Sequence, residues 1–340
     1  MQRAIVLKTP IYIKEFSSVG GYEEGRGPLG AGFDFIDGSD LFGMDTWERA
    51  EGEMSRVALN IALKKAGLSA ESLSLIVAGD LQNQCVASSG GLFSFGAPFL
   101  GLYGACSTCT EALLVLASLM SCDCGYQYGA AVTSSHNCAA ERQFRTPIEY
   151  GGQRSPTAQW TATAAGAFIL SREVSSVRIN AVMPGRIIDG YISDATNMGG
   201  AMALSASETI LSYLELRGAS PEEYDLYLTG DLGSVGSSLL HELLKEKSPR
   251  GESIVSRHKD CGCLIFGSSQ DCHAGGSGCG CSASVLASHI LPKLCRGEIK
   301  KMLLLSTGAL MSSSSITQGD HIMGITPLVE LEHIPSRHSV

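Results

Sequence analysis

The stretch FLGLYGACSTCTEALLVLASLM, Phe99 to Met120, changes character within a few residues and places a cysteine at the change. Its first five residues are typical of a strand, whereas beyond Cys106 the apolar residues recur at the spacing of a helix. Gly104 can adopt the backbone angles that a sharp bend requires. The stretch therefore predicts a strand-to-helix turn that carries Cys106.

This predicted position of Cys106 has a chemical consequence. Ser107 or Thr108 can cap the free amides of the new helix, and the sulfur would then lie against the positive end of the helix dipole. Such a position favours the thiolate over the thiol. The alternative is a buried structural cysteine, which is a common role for a free cysteine.

The composition bounds the size and the assembly of the protein. With 340 residues, of which 44% are hydrophobic, the chain can form two ordinary domains or one large α/β unit. Only 17% of the residues are charged, and the mean hydropathy of +0.13 is high for a soluble monomer. We therefore expect a partner subunit to cover some apolar surface, and a homodimer is the simplest such assembly.

Charge and hydropathy exclude two classes of partner. The net charge is −9, and no run of Lys and Arg exists to neutralise the phosphates of a nucleic acid. No segment approaches the roughly 18 to 20 apolar residues of a membrane-spanning helix. The N-terminal segment lacks the apolar core and the cleavage site of a signal peptide, so we expect synthesis in the cytoplasm.

The 12 cysteines are expected to be reduced thiols, because the cytoplasm disfavours disulfides. Structural zinc sites favour two cysteine pairs, each with about two to four intervening residues. Only Cys106 and Cys109 have such a spacing, and the other close pairs have a single residue between them. The sequence therefore predicts no metal site on these thiols.

A helix-plus-strand unit occurs twice in the chain. Met54 to Leu81 aligns without gaps to Ser205 to Leu232 at a constant offset of 151 residues, and 8 of the 28 pairs are identical. The identical pairs include Asp80 and Asp231, which stand in the same Gly-Asp-Leu turn. A Gly-rich turn, a helix and a strand follow each copy. The chain is therefore interpreted as an internal duplication.

The duplication predicts the architecture. Two halves, residues 1–173 and 174–340, each supply helices and strands, and parallel strands joined by helices must be covered on both faces. Two sheets that share a central helix layer give a five-layer αβαβα fold. The long period excludes a solenoid, whose repeats span about 20 to 50 residues.

Eight motifs, in order along nearly the whole chain, carry a family resemblance: RGPLG (26–30), AGDLQNQ (78–84), GACST (104–108), TSSHNCAAERQFRTPIEYGGQ (133–153), TGDLGSVGS (229–237), KDCG (259–262), AGGSGCGCSA (274–283) and TGAL (307–310). A duplicated α/β chain with a cysteine at a strand-to-helix turn resembles the thiolase and ketoacyl-synthase superfamily. Within that superfamily, the motifs resemble the stage V sporulation protein AD family of spore-forming bacteria.

The resemblance implies a thiolase-like protein that binds dipicolinic acid (pyridine-2,6-dicarboxylic acid), alone or with calcium, and needs no cofactor. It implies a part in dipicolinate uptake into the developing spore, together with other proteins of the same sporulation operon. The location that it implies is peripheral to the inner membrane of that spore. The alternative is a thiolase-like or ketoacyl-synthase-like acyltransferase that uses Cys106 and an acyl-CoA.

The residues themselves disfavour the enzyme. A condensing enzyme needs a thiolate, a second group that forms or stabilises a carbanion, and an oxyanion hole. Where the superfamily carries His or Asn, this chain has Asp231 in one loop and Ser277 and Cys279 in another. An acidic neighbour raises the pKa of a thiol. His273, just before the second loop, is the one residue that could restore a base.

A dianionic ligand must be held by local donors in a protein of net charge −9. The helix amides at Cys106 suit one carboxylate. His136, an arginine (Arg142, Arg145 or Arg154), or a calcium ion bridged by Asp80 or Asp231 suits the other. Equivalent turns should converge at the ends of equivalent strands. The predicted ligand site consists of Cys106, Asp80, Gln84, His136, Asn137, Asp231, Gly276 and Ser277.

Some of these residues also have a structural interpretation. Asp80 and Asp231 can cap the turns in which they stand. The segment Thr133 to Gly152 is rich in Arg, Gln and aromatic residues, which suits a subunit interface. We therefore expect this segment to be buried in a homodimer.

Overall fold

The computed structural model of the protein describes residues 3–122, 125–144 and 154–335. The first half of the chain contributes, in order, β1 (Ile5–Gly20), α1 (Tyr22–Arg26), β2 (Phe35–Ile36), α2 (Trp47–Ala66), β3 (Leu75–Gly79), α3 (Val86–Leu92), β4 (Phe99–Leu102), α4 (Thr108–Ser121), β5 (Tyr128–Ser135), α5 (Asn137–Phe144), β6 (Trp160–Thr161) and β7 (Ala164–Ser171).

The second half contributes, in order, β8 (Val177–Met183), β9 (Ile188–Asp189), α6 (Met198–Arg217), β10 (Leu226–Thr229), α7 (Gly233–Lys247), α8 (Gly251–Val255), β11 (His258–Asp260), α9 (Cys261–Ile265), β12 (Gly276–Ser277), α10 (Cys279–Val285), α11 (Leu291–Cys295), β13 (Lys301–Leu305), β14 (Gly308–Leu310), α12 (Ser313–Thr317), β15 (Met323–Ile325) and β16 (Leu328–His333). A π-helical turn at Leu286–Ile290 connects α10 to α11. No helix in the described ranges is both long enough and apolar enough to cross a bilayer.

The repeated unit has the same structure in both copies. Helices α2 and α6 start and end at positions that differ by the same 151 residues as the sequence repeat. Each helix is capped at its start by a polar side chain, Thr46 or Asn197, and is followed by a glycine in the left-handed region, Gly67 or Gly218. The exact residue at which one half gives way to the other stays a prediction.

The strands form two equivalent five-stranded units that join edge to edge. The first has the order β4-β3-β5-β7-β1 and the second the order β11-β10-β13-β16-β8. In both units the first three strands are parallel and the last two run antiparallel to their neighbours. The prediction of parallel sheets is therefore correct only for the outer strands. Strand β1 also pairs with β8, which joins the two units into one sheet.

Buried apolar side chains form three layers that the two sheet units separate. On β3, Leu75 and Val77 face the central layer, whereas Ile76 and Ala78 face α2 on the outside. This alternation follows from the period of two along a strand. Strand β10 repeats it, since Leu228 faces the central layer and Tyr227 faces α6.

The central layer consists of α4 from the first half and α10 and α11 from the second. Their side chains, among them Leu113, Leu116 and Leu294, are buried between the two sheet units. Each fully buried leucine contributes roughly 1.5 to 3 kcal/mol to folding. The order helix, sheet, helix, sheet, helix confirms the five-layer fold, and it brings the N-terminal ends of α4 and α10 together.

Candidate functional site

A short helical turn, Ala105–Ser107, connects β4 to α4 and carries Cys106 as predicted. The left-handed residue of this turn is Ala105, with a φ of 53°, and not Gly104. Gly104 itself has a φ of −106°, and a Cβ atom there would lie 2.0 Å from a carboxylate oxygen of Glu111, so that this side chain would have to shift. The sequence therefore located the bend but gave the wrong reason for the glycine.

Neither predicted hydroxyl caps α4. The Ser107 hydroxyl lies 2.6 Å from the carbonyl oxygen of Gly104 and 2.8 Å from the carboxylate of Glu111, and its single hydrogen is shared between these two acceptors. The Thr108 hydroxyl donates to the carbonyl of Ala105 at 2.7 Å. No side chain caps the start of α4. Both hydroxyls brace the turn, so the capping prediction is wrong.

The thiol of Cys106 is almost closed off from solvent. It is 7% exposed and lies in a small apolar cluster with Leu81, Ala140 and Cys279, against which Phe144 packs. Burial raises the pKa of Cys106 well above its usual range, and the neighbouring carboxylate of Asp231 raises this pKa further. The expected thiolate is therefore wrong, because burial and the neighbouring carboxylate both favour the neutral thiol.

Asp231 is fully buried, and donors from three parts of the chain surround its carboxylate. The amide of Gly278 donates to one oxygen at 2.8 Å, and the hydroxyl of Thr307 donates to the other at 2.8 Å. The thiol of Cys106 shares a further hydrogen bond with it. Burial raises the pKa of Asp231 to about 7 despite these donors. Asp231 of the second half is therefore in contact with Cys106 of the first half.

The equivalent residue in the first half has a different environment. The carboxylate of Asp80 accepts from the amide of Gln82 at 2.8 Å and from the amide and hydroxyl of Ser88 at 2.7 and 2.5 Å. It thereby fixes the turn after β3 and the start of α3. Asp80 therefore caps its own turn, which is the structural role that the sequence analysis gave as an alternative.

In the second half, Asp260 fixes the corresponding turn. Its carboxylate accepts from the amides of Leu232 and Gly233 at 2.8 and 3.0 Å, and from the hydroxyl of Thr229 at 2.6 Å. Because Asp260 holds this turn, the side chain of Asp231 is left to face Cys106. No role was predicted for Asp260, although it lies in the KDCG motif.

The structure does not bring Gln84, His136 and Asn137 into contact with the thiol. Gln84 is exposed in a left-handed turn with a φ of 62°. A ring nitrogen of His136 lies 2.9 Å from the carbonyl oxygen of Asp40, and burial lowers the pKa of this histidine. The amide side chain of Asn137 donates to the carbonyl of Thr161 at 3.2 Å. His136 is therefore neutral near pH 7 and is unsuited to the cationic role predicted for it.

Gly276 and Ser277 form β12, which pairs with β6 and so places the next residues beside Cys106. Gly278 has a φ of 100°, and a Cβ atom there would lie 2.6 Å from the hydroxyl oxygen of Ser135. The thiol of Cys279 donates to the carbonyl of Ser134 at 3.0 Å. The loop is thus held tightly, and only glycine fits at position 278.

Other predicted sources of positive charge are engaged elsewhere. Arg142 forms an ion pair with Glu48, and Arg154 donates to the carbonyl of Asp271. Arg145 and the rest of the segment 145–153 lie outside the described residues. His273 bonds to the carbonyl of Ser155 at 2.9 Å, which gives it a local structural partner.

The described residues contain no group of three or more His, Cys, Asp or Glu side chains that could hold a metal ion. The carboxylates of Asp80 and Asp231 are engaged by protein donors, which disfavours the alternative in which they bridge a calcium ion.

A surface cleft of about 500 Å³ is lined by α2 residues such as Arg56 and Lys64. None of the predicted site residues lines this cleft.

Comparison with solved structures identifies the fold class. OleA of Xanthomonas campestris with cerulenin bound matches 95% of this chain and 99% of that chain, with a TM-score of 0.60 and 13% identity. AbyA1, a tetronic acid condensing enzyme, matches 83% of this chain and 85% of that chain, with a TM-score of 0.56 and 17% identity. Both are thiolase-fold enzymes, so this chain has the thiolase-like fold.

Sequence comparison narrows the class to one family. The sequence profile of stage V sporulation protein AD (SpoVAD) matches residues 1–332. The stage V sporulation protein AD of Bacillus subtilis (strain 168) is 39% identical over 328 residues, which are 96% of this chain and 96% of that protein. The chain therefore belongs to the stage V sporulation protein AD family, and the predicted family is confirmed.

Proposed function

We propose that this sporulation protein is a non-catalytic member of the thiolase-like class that binds dipicolinate at the Cys106 site. The observation that carries the proposal is the contact between Cys106 and Asp231. A nucleophilic cysteine needs a neighbouring base or cation that stabilises the thiolate. Here the neighbour is a buried carboxylate, which stabilises the thiol instead.

The same site has donors that suit a carboxylate. The backbone amides of Cys106 and Gly278 both lie close to the sulfur. Amides at the start of a helix attract anions, since they carry the positive end of the helix dipole. We assign one carboxylate of dipicolinate to the amide of Cys106, because the amide of Gly278 already donates to Asp231.

The route of the ligand follows from the burial of the thiol. Because Cys106 is 7% exposed, a ligand that reaches it must displace the side chains that cover it. Ala140 and Phe144 of α5 are among these side chains. We propose that α5 moves when the ligand enters.

The family membership supports a place for this binding in spore formation. We propose that the protein delivers dipicolinate to the developing spore while it is peripheral to the inner membrane, and that it acts with other proteins of the same operon. A homodimer is the proposed assembly.

Calorimetric titration of the purified chain with sodium dipicolinate tests the proposal, and a parallel titration with calcium present tests whether the cation contributes. We expect Cys106→Trp to abolish binding, because the indole occupies the space around the sulfur. The same substitution at the exposed Cys122, at the far end of α4, is the matched control and should leave binding unchanged.

Because Cys106 is packed against other side chains, circular dichroism must first establish that Cys106→Trp is folded. If that variant does not fold, Cys106→Leu replaces it as a smaller change with the same expected loss of binding. Unchanged affinity in a folded variant would show that the ligand site lies elsewhere.

A further inference from the structure

We propose that Asp231 accompanies the bound dianion in its protonated form, so that each dipicolinate that enters the Cys106 site takes up one proton from solvent. The inference rests on the proposed function, and it gives Asp231 a role in specificity that the family membership does not assign. It is carried by the burial of Asp231, by its hydrogen-bond partners and by the charges of the groups around it.

The first step is the position of the carboxylate. Asp231 has no solvent-exposed surface and lies directly beside the thiol of Cys106. A ligand carboxylate held by the amide of Cys106 would lie close to the Asp231 carboxylate, because both groups would then lie beside the same sulfur. Two neighbouring negative charges repel each other strongly when water is excluded from the site. The ionised form of Asp231 therefore opposes the binding of a dianion.

The second step is that the described surroundings of Asp231 contain no compensating cation. The thiol of Cys106 faces it from the turn before α4, those of Cys261 and Cys281 face it from α9 and α10, and Asp260 faces it from β11. Burial raises the pKa of each of these thiols well above the usual range, so they stay neutral. Asp260 adds a second acidic group to the surroundings.

The third step is that the site can accept the proton without rearrangement of the backbone. The amide of Gly278 can continue to donate to one oxygen of Asp231 after the other oxygen is protonated. The hydroxyl of Thr307, which now donates to that other oxygen, can rotate and accept from it, because a hydroxyl is both a donor and an acceptor. Both oxygens of the protonated carboxyl thus keep a hydrogen-bond partner.

The pH dependence follows from linkage. Burial places the pKa of Asp231 in the free protein at about 7, and a neighbouring dianion raises it further. At a pH between the pKa of Asp231 in the free protein and its pKa in the complex, the complex binds more protons than the free protein does. The affinity is therefore highest below pH 7 and falls about tenfold for each pH unit above it, until the pKa of the complex is reached.

Calorimetry at pH 8 in phosphate and in Tris measures the proton directly, because the two buffers differ in ionisation enthalpy. We expect the full chain to take up about one proton per sodium dipicolinate bound. In Asp231→Asn we expect tight binding with no proton uptake and an affinity that does not change between pH 7 and pH 9. Glu51→Gln is the control, since Glu51 is another fully buried acid. It is hydrogen-bonded to Gln82, and burial raises the pKa of Glu51.

The possible results separate the two proposals. If the wild-type chain binds no dipicolinate at any pH, the proposed function fails, and this inference fails with it. If the wild type binds without proton uptake, only this inference is overturned. It is also overturned if folded Asp231→Asn loses binding, or if the proton uptake disappears in Glu51→Gln and persists in Asp231→Asn.

Discussion

Asp80 and Asp231 occupy equivalent turns of the duplicated chain, yet their carboxylates face different surroundings. Among the described residues, the carboxylate of Asp80 accepts hydrogen bonds from its own turn and from Ser88. Asp231 accepts from Gly278 and Thr307, which belong to other loops, and contacts Cys106. One copy of the residue therefore stabilises the fold, whereas the other forms part of the candidate site.

This difference predicts the effect of replacing Asp80. Asp80→Asn should lower the free energy of unfolding by about 1 to 3 kcal/mol, because it replaces one acceptor oxygen by a donor that faces other donors. Dipicolinate affinity should change little. Urea unfolding measures the first quantity and calorimetry the second. Ser88→Ala removes one donor at the same carboxylate, so its effect should not be additive with that of Asp80→Asn. A selective loss of ligand binding in Asp80→Asn would contradict this assignment.

The protonation state of Cys106 predicts the absence of thioesterase or condensing activity. The protein should release free coenzyme A from acetyl-CoA or acetoacetyl-CoA no faster than Cys106→Ala does, since a neutral buried thiol is a poor nucleophile. A spectrophotometric thiol assay measures the release. Turnover that depends on Cys106 would instead support the acyltransferase alternative.

The homodimer remains a prediction, and the structure suggests where to test it. Strand β4 is the last strand of the sheet, and it carries Phe99 and Leu100, which are 41% and 39% exposed. An exposed apolar edge strand favours pairing with another chain. We expect light scattering to give twice the 35.7 kDa of one chain, and we expect Leu100→Asp to give a monomer.

The control for this experiment is Val174→Asp, because Val174 is 76% exposed in the loop between β7 and β8. That variant should stay dimeric. A wild-type chain that is monomeric at micromolar concentration would rule out the homodimer. The interface predicted from sequence, Thr133 to Gly152, lies partly outside the described residues and is tested separately by substitutions in α5.

The buried carboxylate of Glu330 predicts a pH-dependent stability. It accepts from the hydroxyls of Tyr213 and Tyr224 at 2.7 and 2.9 Å and lies 3.5 Å from the ammonium group of Lys301. Burial raises its pKa, but the hydrogen bond from Tyr213 and the charge of Lys301 outweigh burial, so the pKa is lowered. A carboxylate with a lowered pKa stabilises the fold above its unfolded pKa and loses this effect as the pH falls through the folded pKa.

Glu330→Gln should therefore lower the free energy of unfolding by about 2 to 3 kcal/mol at pH 7 and by less at pH 4. Glu332→Gln, on the same strand, removes a more exposed ion pair with Arg178 and should cost about 1 kcal/mol or less. Urea unfolding at both pH values measures the two variants. An equal loss in Glu330→Gln at pH 4 and pH 7 would contradict the assigned ionisation.

The parts of the fold that the sequence predicted are those with local or repeated signals. Helix α2 has both a polar cap at Thr46 and a stop at Gly67, and its recurrence as α6 revealed the duplication. The pairing of β1 with β8 has no such signal, because contacts between distant strands leave no periodic pattern in either segment. The antiparallel strands β7 and β16 were missed for the same reason.

The candidate site was predicted in part. Cys106, Asp231 and the Gly-rich loop were found because glycines and acidic residues stood at repeated turns. Thr307 and Asp260 were missed, since neither has an equivalent that aligns at the constant offset. The ionisation state of Cys106 could not be predicted from the sequence either, because it depends on the burial of the sulfur and on the direction of the Asp231 side chain.

The pairing of β1 with β8 has a consequence for synthesis on the ribosome. The first long strand to emerge, Ile5–Gly20, finds one of its neighbours only after Val177–Met183 has been made. Until then its edge is open, and an open apolar edge invites association with other nascent chains. Such distant pairing also slows folding. The N-terminal half alone should therefore require a chaperone or aggregate, although it contains a complete copy of the repeat.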